Sequence, residues 1–283
     1  MSQIGRLLGS GAGSDVYEYG DEKVCKLYKP GADNLDWEYN KLLDAYENGL
    51  PVPQVYGKIV HEGRLGYIMN RVYGISYLEI ILEHICRSLE QGVTYEDIFN
   101  APIIADSMGA MASYLHKLHQ IKCKLRMSGK ASLTYSCMNS LHLSKDEKDR
   151  VIAMIDALPD DECVCHGDPH AGNFIVNSGT VQMIDWNDCV TASPLYDIAS
   201  LMCAMEYAEF APILPAHTVD FFKQYKHEFV RVFIAAYARL SALDMSQINK
   251  WFLLQIIAHC NGNQSEAQTD KMVSDIRKML AVL

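Results

Sequence analysis

The sequence predicts an α+β chain of two lobes. A small N-terminal lobe is an antiparallel β-sheet with one helix, and a larger C-terminal lobe is mainly helical. Three observations predict this. Between residues 7 and 74, short β-type runs alternate with glycine and proline turns around a single helical stretch. Apolar residues then recur at helical spacing in 198–208, 218–240, 246–259 and 269–282. At 283 residues the chain is long enough for two modest lobes around one cleft. The expected division is 1–72 and 73–283.

Residues 7–16, LLGSGAGSDV, read as a turn with glycines at 9, 11 and 13. Glycines let backbone amides approach a phosphate closely, although many hairpins carry such a turn. A G-x-G-x-x-G pattern would have glycine at the position of Ser14. Next, VCKLYKP (24–30) reads as a strand ended by Pro30, with Lys26 inside an otherwise apolar stretch. Lys26 is either a solvent-facing lysine of an edge strand or a lysine that holds nucleotide phosphates. The second reading needs a carboxylate partner, which the helical stretch 33–51 supplies. Glu38, in its first turns, is the candidate; Asp36 and Glu47 are rivals, and Glu47 falls near the end of the helix.

PVPQVYGKIV (51–60) and LGYIMNRVYG (65–74) read as two strands joined by a hairpin turn at 61–64. Residues 75–100 read as one helix followed by a loop, and 102–121 as a stronger helix. His116 and His119, near the end of that helix, read as core or helix-end residues and not as ligands. Residues 123–160 read as an insertion with one helix at about 144–157, opened by a capping box of Ser144 and Glu147.

Two short runs carry the chemistry: CHGDPHAGNFIV (165–176) and VQMIDW (181–186). They read as strand, loop and hairpin, with an acid at the far end. Phosphoryl transfer needs a base to orient the acceptor and hard oxygen ligands for divalent metal. Asp168 suits the base, Asn173 the first ligand and Asp185 the second. The five-residue step from Asp168 to Asn173 matches the H-R-D-x-x-x-x-N loop, with Gly167 in place of arginine. The run His166-x-Asp168-x-His170, with Cys163 and Cys165 beside it, also has zinc-ligand chemistry. A polar turn between two core strands is the third reading.

HGDPHAGNF followed by IDW resembles the signature of the aminoglycoside phosphotransferase and choline kinase family. The resemblance implies a protein-kinase-like bilobal fold with a five-stranded small lobe. It also implies transfer of the γ-phosphate of ATP or GTP to a hydroxyl of a small molecule, with Mg²⁺. Under it, Asp168 is catalytic, Asn173 and Asp185 hold metal, and Lys26 fixed by Glu38 holds phosphates. Gly9, Gly11 and Ser14 would line the phosphates. Met69 would back the adenine, with the Asn70 carbonyl and the Val72 amide facing the purine edge. His166 and Asp197 would brace the catalytic loop. Asp188, Glu206 and Glu209 are the acids placed to meet a cationic acceptor. Trp186 in place of the phenylalanine of D-F-G, and the lack of an A-P-E segment, point to the small-molecule branch and away from protein kinases. A nucleotide-binding pseudoenzyme or regulatory module on the same fold is the alternative.

Composition sets the surroundings. Hydrophobic residues make up 49% and charged residues 21%, ordinary for a soluble globular protein. No apolar run approaches the roughly 20 residues of a membrane span, and the start MSQIGRLLGSG lacks the pattern of a secretory leader. Nine cysteines without paired spacing are expected to be free thiols in a reducing compartment, the cytoplasm. A net charge of −10 argues against nucleic acid as a partner and permits a cationic small molecule.

Overall fold

A computed structural model describes residues 4–11, 13–31, 35–160, 163–209, 214–262 and 264–283. The chain opens with β1 (Ile4–Ser10), β2 (Ser14–Tyr19) and β3 (Lys23–Tyr28), crosses helix α1 (Leu35–Glu47), and returns as β4 (Val55–His61) and β5 (Arg64–Asn70). All five strands form one antiparallel sheet in the order β1-β2-β3-β5-β4. β3 is central, and its residues Val24 to Tyr28 are all buried. Helix α1 packs against β4 and β5. The β4–β5 turn is tight because Glu62 and Gly63 both take positive φ, 49° and 76°.

After β5 the chain becomes mainly helical. β6 (Ile75–Ser76) leads into α2 (Tyr77–Glu90), which Ser76 and Glu79 open with a reciprocal capping box. Then come α3 (Tyr95–Asn100), α4 (Pro102–Leu118), α5 (Gly129–Asn139) and α6 (Lys145–Asp156). A short ribbon pairs β7 (Cys163–Cys165) with β10 (Val190–Ala192). Between them lies the hairpin of β8 (Phe174–Asn177) and β9 (Thr180–Met183), to which β6 adds a third strand. Helices α7 (Leu195–Glu206), α8 (Ala216–Ala238), α9 (Ile248–His259) and α10 (Glu266–Val282) complete the chain. Trp186, Phe174, Tyr237 and Trp251 are among the largest fully buried side chains and lie in one core cluster.

Two expectations need correction. The loop expected after α2 contains α3, capped by Thr94, whose hydroxyl accepts the Asp97 N–H. Six residues are too few to show a helical period. The insertion holds two helices, not one. In α5, GKASLTYSCMN, Leu133 and Cys137 are the buried apolar side chains beyond Gly129, so there is no apolar stripe to detect; its cap Ser128 accepting the Ala131 N–H is the sequence-visible signal. The expected start of α1 at 33–34 lies outside the described residues.

All nine cysteines are free, seven of them buried. No described helix is long and apolar enough to cross a membrane.

Candidate active site

The loop after β7 is fixed from behind by α7. Backbone N–H groups of His166 and Gly167 donate to Asp197, at 2.9 Å to Oδ2 and 2.7 Å to Oδ1. Ser200 Oγ, one turn further, donates to the Gly167 carbonyl at 2.7 Å. His166 is fully buried; its Nε2 donates to the Ile184 carbonyl at 3.0 Å, which leaves Nδ1 to accept the Asp168 N–H at 3.3 Å. Its ring meets Trp186 edge-on, 4.8 Å between centroids. Gly167 has φ +90°, and a Cβ there would collide with the Asp188 carbonyl oxygen. Only glycine satisfies both conditions.

Asp168 emerges half-buried from this turn. Asn173 Nδ2 donates to the Asp168 carbonyl at 2.8 Å and lies 3.4 Å from its Oδ2. His170 accepts the Gly172 N–H on Nδ1 at 3.1 Å, and its Nε2 stands 3.5 Å from Asp168 Oδ2. The 3₁₀ turn Ala171–Asn173 therefore holds Asp168 and Asn173 side by side.

From the other side comes Lys26. Its Nζ donates to Glu38 Oε2 at 3.1 Å and to Asp185 Oδ1 at 3.2 Å, joining residues 159 apart in sequence. Lys26 is only 7% exposed. Burial opposes its charge, but Tyr67, Asp185 and Glu38 outweigh that and hold its pKa above the ordinary lysine value. Tyr28 also donates to Glu38 Oε2, so burial and this carboxylate push the phenol up. Asp185 sits in the left-handed region, φ 62° and ψ 61°, uncommon for a residue with a Cβ. Asn187 Nδ2 donates to Asp185 Oδ1 at 2.5 Å.

Two oxygens remain for a metal. Asn173 turns its Nδ2 toward Asp168, so its Oδ1 points elsewhere, and Asp185 keeps Oδ2 while Oδ1 takes Lys26 and Asn187. One carboxylate and one amide oxygen suit a hard divalent cation. The zinc reading finds no such support. The Cys163 and Cys165 thiols donate to the Ala192 and Ser193 carbonyls at 2.7 and 3.3 Å, and both His166 nitrogens are engaged. His119, Cys165 and Asp197 do bring ligand atoms within 4.8 Å of one another. Both Asp197 oxygens are already taken by N–H groups, so the trio reads as a hydrogen-bonded knot.

The structure distributes the remaining candidates. Gly9 lies in β1, Gly11 in the turn and Ser14 at the start of β2; the Gly11 N–H donates to the Ser14 carbonyl at 2.8 Å. Ser10 Oγ donates to Asp15 at 2.6 Å. Met69 pairs with Val24 and Val55 at the end of β5, and the Asn70 side chain accepts the Tyr56 hydroxyl at 2.7 Å. The Val72 N–H makes no hydrogen bond among the described residues. Asp188 is exposed, yet the protein packed around its carboxyl, with Asp168 and Asp185 nearby, pushes it up against the pull of Lys41. Glu206 is bound by Lys226 at 2.7 Å and Lys271 at 2.5 Å, and Glu209 accepts the Ser265 hydroxyl at 2.5 Å. A cavity of about 400 Å³ runs past Glu206, floored by Met202, Met205 and Phe252. Another of about 540 Å³, beside Lys122, Lys130 and Trp251, contains none of the candidates.

Four contributors were not read from the sequence. Tyr28 lies two residues after Lys26 on the same strand face, and strand alternation pointed to it. His119 was read as core, which its 3% exposure fits, but it also bonds Asp197 at 3.0 Å. Lys41 and Asn187 had no signal, because their link spans 146 residues.

A model of the phosphotransferase enzyme family matches residues 4–243. No curated protein sequence matches the chain. Among solved structures, a choline/ethanolamine kinase family protein from Mesorhizobium loti aligns over 98% of this chain and 87% of its own, at 14% identity and TM-score 0.58. Aminoglycoside phosphotransferase APH(3'')-Id from Streptomyces rimosus aligns over 91% of this chain and 93% of its own, at 17% identity and TM-score 0.54. Amicoumacin kinase hAmiN, solved with AMP-PNP, Ca²⁺ and Ami, aligns over 98% of this chain and 87% of its own, at 17% identity and TM-score 0.55. At these identities the likeness establishes the kinase-like fold.

Proposed function

This chain belongs to the phosphotransferase enzyme family, and from that premise we propose that it moves the γ-phosphate of ATP or GTP to a hydroxyl of a small molecule. The observation that carries the reading is Lys26, buried between Glu38 and Asp185 at 3.1 and 3.2 Å. A buried cation shared between a helix acid and a distant loop acid has little value as a fold contact alone. It makes sense where phosphates and metal will sit.

Each residue then has a task. Lys26, oriented by Glu38 and Tyr28, holds the phosphates. Gly9, Gly11 and Ser14 line them, and Met69, Asn70 and Val72 meet the base, Val72 through an N–H that makes no hydrogen bond among the described residues. Asn173 and Asp185 hold Mg²⁺, which when bound neutralises charge on the transferring group. Asp168 orients the acceptor hydroxyl and accepts its proton. His166 and Asp197 fix the turn that presents Asp168. Asp188, at the cleft, faces the acceptor and favours one bearing a cation; Glu206 and Glu209 are already paired and serve that wall indirectly. The lobes divide at 72/73, in the connection between β5 and β6. Nine free thiols favour the cytoplasm.

The test is Mg²⁺-dependent nucleotide consumption against a panel of small alcohols, amino alcohols and aminoglycosides, with Asp168→Asn beside the wild type. An acceptor that stimulates turnover, lost by about 10²–10⁴-fold in the variant, supports the proposal. Nucleotide binding with no turnover on any acceptor would favour a pseudoenzyme.

A further inference from the structure

Lys26, Glu38 and Asp185 belong to a closed circuit of contacts, and its two other members have no assigned role. Lys26 Nζ bonds Glu38 on α1. One helical turn along, Lys41 Nζ donates to the Asn187 carbonyl at 2.9 Å. The side chain of the same Asn187 donates to Asp185 Oδ1 at 2.5 Å, and Asp185 Oδ1 returns to Lys26 at 3.2 Å. Three elements are closed into one ring: strand β3, helix α1 and the 3₁₀ turn Trp186–Asp188.

A second contact holds α1 in the same place. Asp44, one more turn along, accepts the Arg126 N–H at 2.8 Å and lies 3.5 Å from its guanidinium. Glu38, Lys41 and Asp44 thus bind the sheet, the Asp185 turn and the segment after α4 at three-residue steps along one helix. Lys41 is only partly exposed, and its Nζ also stands 5.1 Å from the Trp37 ring centroid, so its position is confined from two sides.

We propose that Lys41 and Asn187 are positioning residues for Asp185, setting the carboxylate that receives the divalent cation according to the position of the helix that carries Glu38. The inference rests on the reading of Asp185 as a metal-binding residue. Asp185 has a strained left-handed backbone and its carboxylate is half-exposed. Left alone, such a carboxylate samples several rotamers, and ordering it on binding costs affinity. When phosphates draw Lys26 away from Asp185, the bond from Asn187 remains, and Lys41 holds Asn187 in turn. Outer partners of a metal-bound carboxylate are worth about 10–100-fold in metal affinity.

The experiment titrates Mg²⁺ at a fixed, saturating concentration of AMP-PNP and reads the thermal shift of the protein, with no turnover required. In Lys41→Met the Mg²⁺ midpoint is expected to rise about tenfold, while Lys41→Arg, which keeps a donor, stays within about threefold of wild type. Asn187→Ala is expected to raise the midpoint similarly, and the double variant no further, because both break one circuit. The ligand-free unfolding temperature of each variant separates this from general damage. A wild-type midpoint in both Lys41→Met and Asn187→Ala, or strictly additive effects, overturns the proposal. A wild-type protein that shows no Mg²⁺-dependent shift overturns the proposed function, and the metal role of the circuit falls with it.

Discussion

His119 Nε2 lies 3.0 Å from Asp197 Oδ2, and both side chains are sealed from solvent. The other ring nitrogen of His119 lies 2.7 Å from the Tyr237 hydroxyl. With Nε2 donating, Nδ1 accepts the phenol proton, so a single hydrogen-bonded line runs from α8 through α4 to the loop that presents Asp168. Tyr237→Phe leaves a buried nitrogen without its donor and should cost about 1–2 kcal/mol. His119→Leu removes a partner from a buried carboxylate and should cost on the order of 3 kcal/mol. Denaturant midpoints at pH 7 measure both, and equal stability of Tyr237→Phe and wild type would mean the line is not made.

Gly167→Ala tests the turn itself. The added Cβ meets the Asp188 carbonyl in a backbone conformation that alanine disfavours. Relief requires the loop to shift, and a shift of even 1 Å at Asp168 lowers turnover by about 10²-fold. Steady-state rates at saturating nucleotide are the measure. Unchanged rates would show that the turn tolerates displacement.

Tyr28→Phe separates the two donors on Glu38. Lys26 keeps its ion pair, while Glu38 loses the phenol bond. We expect a loss of about 1 kcal/mol in stability and a rise of a few-fold, about 1 kcal/mol at most, in nucleotide KM. A fall in kcat with KM unchanged would contradict this and move Tyr28 to the transfer step.

Glu206 supplies a pH signature. Burial works to raise its carboxyl, but Lys226 and Lys271 outweigh it and hold the pKa below the usual glutamate range. A depressed folded-state pKa means that the contribution is present above the unfolded value, about 4.3, and is lost as pH falls through the folded value. The stability difference between wild type and Glu206→Gln should therefore be full at pH 6–7, assayed at about those values, and vanish in acid. A difference constant across that range would show that the carboxylate is not held by the lysines.

What the sequence made legible was what lies close along the chain. The step from Asp168 to Asn173, the apolar frame around Lys26 and the acid of I-D-W are local patterns. Asp197 was legible only through the family resemblance, as the aspartate that follows a proline at the opening of a helix. The circuit through Lys41 and Asn187 was not, since neither residue type nor local spacing marks a bond across 146 positions. Glu206 read as an acid placed to meet a cationic acceptor, and its pairing was not legible, because two lysines on α8 and α10 reach it only after the helices pack. Helices α3 and α5 were missed for a simpler reason: one is too short for a period, and the other has no apolar stripe.

The buried thiols beside the candidate site give the molecule a built-in reporter. Cys163 and Cys165 line β7, Cys189 precedes β10, and Cys25 lies next to Lys26, all buried and none cross-linked. Burial pushes Cys25 up to about 11 and Cys189 up to about 12, so almost no thiolate forms at neutral pH while the structure is closed. Alkylating reagents will then modify these positions at the rate at which the ribbon or the central strand opens. Labelling followed by mass spectrometry becomes a clock for opening at the central strand and at the ribbon separately. Nucleotide should slow the clock at Cys25, and the divalent cation should slow it at Cys189.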